Sequence, residues 1–209
     1  VGTFNPALMV HGTEGIELYG EIPPDGEIES VGEITGVWDK GKAAVAEFES
    51  TATLVATGKP LFKVKMSMFC RGAGDFGGER GPSPTFVLPT RKADHELTYT
   101  TREDQALTYR LSGDRNPLHS DPSFAKIGGF DRPILHGLCT YGFTGRALLH
   151  TLCGSDPSRF KAMDGRFSKP VMPGDTLTIS MWVDGKQALF VTKNQNGDIV
   201  LDQGEFRFA

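Results

Sequence analysis

The apolar residues of this 209-residue chain change their period once. Up to about residue 70 they alternate with polar ones, as in strands with one covered face. Short or alternating apolar runs at 16–22, 29–37, 43–56 and 61–70 predict four strands. The last is the clearest: Phe62, Val64, Met66 and Met68 point one way, and Lys63, Lys65, Ser67 and Phe69 the other. Gly41 and Gly58-Lys59-Pro60 supply turns, so the strands are expected to be antiparallel. A glycine- and proline-rich break at 71–89 reads as a loop or linker between two halves. The second half opens with a short helix at 105–112, behind Thr101-Arg102-Glu103-Asp104, which resembles a capping box. Residues 134–153 then form a long helix whose one formal charge is Arg146 and whose apolar residues fall on every side, the pattern of a helix buried all round. Gly137, Gly142 and Gly145 in it imply close approach by a sheet. Strands are predicted at 160–167, 175–183, 188–192 and 198–208. The result is an α+β fold, a long antiparallel sheet wrapped round a buried helix. Its two parts are 1–90 and 91–209. The first shows no matching helix, so its covering helix is expected upstream of Val1.

Composition narrows the function classes. The hydrophobic fraction of 38% suffices for a core, and the net charge of −4 offers no basic excess for phosphates, which argues against nucleic acid. No charge-free apolar run reaches the roughly 18 residues of a membrane span. Cys70, Cys139 and Cys153 form no CxxC pair and read as free thiols in a reducing compartment, which favours the cytoplasm. The start of the chain shows no signal peptide, and Arg207-Phe208-Ala209 is not a peroxisomal tripeptide. Gly72-Ala73-Gly74-Asp75-Phe76-Gly77 matches a dinucleotide fingerprint in letters only, because Gly78-Glu79-Arg80-Gly81-Pro82 cannot continue as the helix that motif needs.

The chemistry lies in Tyr109-Arg110-Leu111-Ser112-Gly113-Asp114-Arg115-Asn116-Pro117-Leu118-His119-Ser120-Asp121-Pro122. On one helix Asp114 and His119 would point about 140° apart. Gly113 and Pro117 end the helix, and a turn at Asn116-Pro117 can swing carboxylate and imidazole towards one point, a pair suited to the two protons of one water. Phe130-Asp131-Arg132-Pro133-Ile134-Leu135-His136-Gly137 adds the second element. Pro133 is expected to start the long helix, with Gly137 in its first turn, where an unpaired N–H can face a carbonyl gaining charge. His136 reads as structural, Asp121 as the cap of a short helix at 123–127, and His11, His95 and His150 receive no role.

These segments resemble the MaoC-like family of (R)-specific enoyl-CoA hydratases, most closely the hydratase 2 subgroup that includes the hydratase part of peroxisomal multifunctional enzymes. The family motif Y-R-L-S-G-D-x-N-P-L-H-x-D-P is kept whole, as is the second block from Gly129-Phe130 through 133–140. Weaker likeness extends to Leu18-Tyr19, Phe76-Gly77-Gly78 and Phe167-Ser168-Lys169-Pro170-Val171. The resemblance implies a double hot-dog fold, a homodimer, and catalysis by Asp114, Asn116 and His119 with Gly137 as oxyanion donor; residues 91–209 carry the motif, and residues 1–90, which hold no copy of it, are expected to be non-catalytic and to give the acyl chain room. It also implies reversible syn hydration of trans-2-enoyl-CoA to (3R)-hydroxyacyl-CoA in fatty acid metabolism. Arg166 and Lys169 stand near the thioester-side loop and are candidates for the phosphates of the carrier, CoA or an acyl carrier protein. No metal or redox cofactor is required. A peroxisomal location would follow if the chain were part of a eukaryotic multifunctional enzyme. The alternatives are a hot-dog thioesterase, since fold alone does not fix the reaction, and a non-catalytic acyl-thioester-binding module.

Overall fold

The computed structural model describes residues 4–83 and 85–209. Residues 1–3 and Pro84, the latter inside the break at 71–89, lie outside the described residues. The strands are β1 (Met9–Leu18), β2 (Ile28–Asp39), β3 (Ala43–Leu54), β4 (Lys59–Arg71), β5 (His95–Thr100), β6 (Phe160–Phe167), β7 (Thr176–Asp184), β8 (Gln187–Lys193) and β9 (Ile199–Phe208). All nine join one antiparallel sheet in the order β2-β3-β4-β1-β6-β9-β8-β7-β5. The helices are α1 (Gln105–Tyr109), α2 (Pro122–Ile127) and α3 (Gly137–Leu152). This is the α+β, hot-dog arrangement expected, with α3 packed on β5, β6, β7 and β9.

The halves meet where β1 lies between β4 and β6, with Thr13 opposite Arg166 and Glu17 opposite Ala162. The sequence reading placed the first strand at 16–22, but it runs 9–18. Gly12 and Gly15 dilute its apolar pattern, and pairing on both sides overrides that weak local signal. It also omitted β5, although Leu97 and Tyr99 alternate with polar residues and pack on the core.

Three expectations about helices change. The 101–104 capping box does not form, because the Thr101 hydroxyl donates to the Asp175 carbonyl (2.9 Å) and Arg102 pairs with Asp104. Helix α3 starts at Gly137 rather than Pro133. The Ile134 carbonyl instead accepts from the His119 ring and the Leu135 amide donates to the Val171 carbonyl (2.8 Å), so this backbone is committed elsewhere. Nor is α3 buried all round. Thr140, Thr144, Ala147 and Leu148 face the sheet, while Gly142, Arg146 and His150 form an exposed stripe. Two of its glycines do meet neighbours: a Cβ at Gly145 would sit 3.3 Å from the Met163 sulfur, and one at Gly137 3.3 Å from the Phe167 ring. The short helix at 122–127 is capped as expected by Asp121, whose carboxylate accepts from the Ser123 amide (2.8 Å). The glycine stretch after β4 is a loop. The Asp39 carboxylate pins it by accepting from the amides of Gly41, Asp75 and Gly77.

Candidate active site

The turn after α1 is built by its own side chains. Gly113 takes φ 116°, which breaks the helix. The Asp114 carboxylate accepts from the Asn116 amide (3.0 Å), and Asn116 Oδ1 accepts from the Leu118 amide (3.0 Å), capping a 3-10 turn over Pro117–His119. These short bonds reverse the chain within five residues and bring Asp114 and His119 to one cavity. That cavity has a volume of about 280 Å³, and Asp114, Asn116, His119, Gly137 and Lys169 all line it. Arg166 does not line it, being held by a two-pronged pair with Asp202 (both contacts 2.7 Å).

His119 is nearly buried while Asp114 is exposed. The His119 Nδ1 lies 2.8 Å from the Ile134 carbonyl. A carbonyl only accepts, so Nδ1 carries the hydrogen and the neutral ring keeps its lone pair on Nε2. Burial pushes this imidazole below its ordinary value, and outweighs the Ile134 hydrogen bond and the Asp114 charge, which pull it up. The group is therefore neutral, and able to accept a proton, at neutral pH. Gly137 is the first residue of α3, where helical geometry supplies no acceptor for its N–H and the dipole is positive.

Asp114, His119 and His136 each offer a donor atom, all within 4.8 Å of one another, the one such grouping among the described residues. The two imidazoles stack, however, with centroids 3.8 Å apart and an interplanar angle of 27°. Their in-plane lone pairs lie in nearly parallel planes, a poor geometry for one ion.

Sequence reasoning expected acyl-chain room from the first half but named no residue of it for this cavity. Met9, Val10 and His11 of β1 and Met68 and Arg71 of β4 line the same cavity, with the His11 ring 4.9 Å from that of Phe167. Nothing in the local pattern of β1 or β4 marks these residues, because only the pairing of β1 with β6 brings them there. Met9 and Met68 also line a second, apolar cavity of about 420 Å³ under the first half, together with Phe4, Val37, Phe48 and Phe76.

Comparison with known proteins identifies the family. The model of the MaoC-like domain matches residues 86–204, and that of the hydratase 2 N-terminal domain of multifunctional enzyme type 2 matches residues 1–72. The chain belongs to the MaoC-like family. It is 44% identical over 206 residues to a probable enoyl-CoA hydratase 2 of Dictyostelium discoideum, covering 96% of this chain and 70% of that protein. It is 45% identical over 195 residues to the enoyl-CoA hydratase ChsH3 of Mycobacterium tuberculosis, covering 92% and 68%. The crystal structure of a MaoC-like dehydratase from Phytophthora capsici superposes with a TM-score of 0.92 at 36% identity, covering 100% of this chain and 72% of that one. This MaoC-like chain is accordingly an enzyme of the hydro-lyase class. No helix among its described residues is long and apolar enough to cross a membrane.

Proposed function

We propose that the chain catalyses the reversible syn hydration of trans-2-enoyl-CoA to (3R)-hydroxyacyl-CoA in fatty acid metabolism. The observation that carries the reading is the neutral His119, its Nε2 free, beside Asp114 in one cavity headed by the Gly137 N–H. Asp114 and His119 hold a water over C3 of the enoyl group. His119 Nε2 takes a proton from it, the hydroxide oxygen bonds to C3, and the electron pair of the double bond moves through C2 to the thioester oxygen, which the Gly137 N–H stabilises. The proton that His119 has taken from the water then passes by way of the Asp114 carboxylate to C2, which leaves both groups as they began. Both new bonds form on the face that these groups share.

Asn116 supports the pair by shaping the turn, since its carbonyl oxygen is spent on the cap. Lys169, which lines the cavity and pairs with Asp198, binds a carrier phosphate. Residues 1–90 supply room for the acyl chain and 91–209 the chemistry, which needs no bound cofactor. The enzyme works as a homodimer. Three buried thiols, Cys70, Cys139 and Cys153, suit a reducing compartment such as the cytoplasm.

The test is the absorbance of the conjugated enoyl thioester on mixing with the protein. Loss of the band without release of free thiol, with (3R) product on chiral analysis, is the expected result. Free thiol would identify a thioesterase, and an unchanged band a binding module. Either would overturn the proposal.

A further inference from the structure

His136 is buried at the site, 1% exposed, yet the hydration chemistry makes no use of it. Its Nε2 lies 3.2 Å from the backbone carbonyl of Asp114 and 4.0 Å from that residue's carboxylate. The carbonyl only accepts, so Nε2 carries the hydrogen. Its ring stacks on that of His119 at 3.8 Å and meets Tyr109 at 4.8 Å on its other contact. Its Nδ1 is buried with no hydrogen-bond partner among the described residues. An acceptor buried without a partner costs stability, and a phenyl ring would fill the same space without that cost. The side of the ring that has a function is thus the Nε2–H. His136 also caps α3, with ψ 135°, and so sets the direction from which the chain enters Gly137.

We infer that His136 is a positioning residue for hydration: its ring is the wall on which the His119 imidazole rests, and its N–H anchors the backbone of Asp114. One side chain thereby fixes both members of the acid–base pair and the start of the helix that carries the oxyanion donor. The inference rests on the assignment of His119 as the base. The groups that face His136 are His119 and Asp114 across the site, and Tyr109 and Arg110 from α1 and the turn that follows it. Burial first, then the neighbouring His119, push the His136 imidazole down to about 4, while Asp114 pulls weakly the other way. A neutral His136 leaves room for His119 to become the one cation of the stack during turnover.

Two variants of the full chain separate wall from anchor. His136→Phe keeps the wall and loses the donor, while His136→Gln keeps a donor and loses the wall. Each is expected to lower kcat by about 10- to 100-fold, the cost of small misplacement of catalytic groups, with the KM for crotonyl-CoA within about twofold of the parent. In His136→Gln the acidic limb of the kcat/KM profile moves to higher pH, because a smaller, wetter neighbour releases His119 towards its ordinary value. In His136→Phe the limb stays in place. Folded variants with normal kcat and an unmoved limb would overturn the inference, as would a lowered melting temperature with no kinetic change. If neither variant folds, nitrogen NMR of the parent decides: His136 protonated on Nδ1 at pH 6 overturns the inference, and a neutral Nε2–H tautomer supports it. His119→Ala separates this inference from the proposed function. An inactive His119→Ala beside normal His136 variants rejects the positioning role alone, whereas an active His119→Ala rejects the base and the inference with it.

Discussion

The two halves share one sheet but not one core. The buried hydrophobic cluster draws its members from residues 106–206, among them Leu148, Ile179, Met181, Phe190, Leu201 and Phe206, and among the described residues Ile16 is the one hydrophobic side chain of β1–β4 packed against it. In the first half the buried apolar residues are small or few, as with Ala43, Ala46, Ala52 and Leu61, and Val31 stands 68% exposed on β2. A strand needs only an alternating face to form, whereas a core needs something to close over that face. The second half has α3 for this purpose. Packed on α3, the second half can keep side chains in fixed relation, and the proposed acid–base pair sits there. The first half lends the same cavity flexible walls, Met9 and Met68, of the kind that adapt to ligands of varied shape.

That division of labour can be broken most sharply at the pair itself. His119→Ala and Asp114→Asn should each lower kcat by at least about 10²-fold, and up to about 10⁴-fold, with the protein still folded by circular dichroism. Near-normal turnover in either would remove chemistry from the second half. Gly137→Pro comes next, at about 10²–10³-fold for loss of one oxyanion donor. Proline is well suited to the first helical position, and His136 already has the extended ψ of a residue that precedes proline. The variant should therefore fold and be inactive. Gly137→Ala, which asks Phe167 to yield slightly, should be milder. A fully active Gly137→Pro would eliminate the N–H as donor.

Acid should also act on the second half. His119 and His136 are both held below their ordinary value by burial. As pH falls from about 6.5 towards 4, the unfolded chain binds protons that the folded chain refuses, so stability falls through that window. For His136 alone the shift to about 4 corresponds to on the order of 3 kcal/mol. Thermal melts across this range should therefore be steep for the parent and flatter for His136→Phe. Equal slopes would show that His136 binds its proton as readily in the fold as in the unfolded chain. The smallest effect belongs to the first half. Met68 borders both the catalytic cavity and the apolar one beneath β1–β4. Met68→Ala should raise kcat/KM for long enoyl thioesters relative to crotonyl-CoA by about tenfold, the scale of a few methylenes in an apolar pocket. An unchanged ratio would place the acyl chain elsewhere.

How much of this was legible in the sequence depended on distance along the chain. The turn from Gly113 to His119 is written locally, in a glycine, a proline and two side chains that bond their own backbone, and so its residues could be named in advance. Strands β3 and β4 were equally plain, since alternation is a property of each strand. The helix start was not, because the Ile134 and Leu135 backbone is held by His119 and Val171, neither of them adjacent. Arg166 and Lys169 looked alike in the sequence, and in the fold each pairs with a distant aspartate, Asp202 and Asp198; only Lys169 also lines the cavity, which no local pattern announces. The cavity wall from β1 and β4 is the extreme case, as it exists only once the halves have paired.

The position of β1 has a consequence for how the molecule is made. Its partner on one side, β4, follows within about fifty residues and is available early. Its partner on the other side, β6, is not: Thr13 pairs with Arg166 and Glu17 with Ala162. Such a contact closes a long loop late and slowly. On the ribosome the early strands must wait, one edge of β1 unpaired, until the chain has been synthesised past residue 167. During that interval the exposed edge invites pairing with the wrong chain, and folding yield should be set by this wait more than by the stability of the finished sheet.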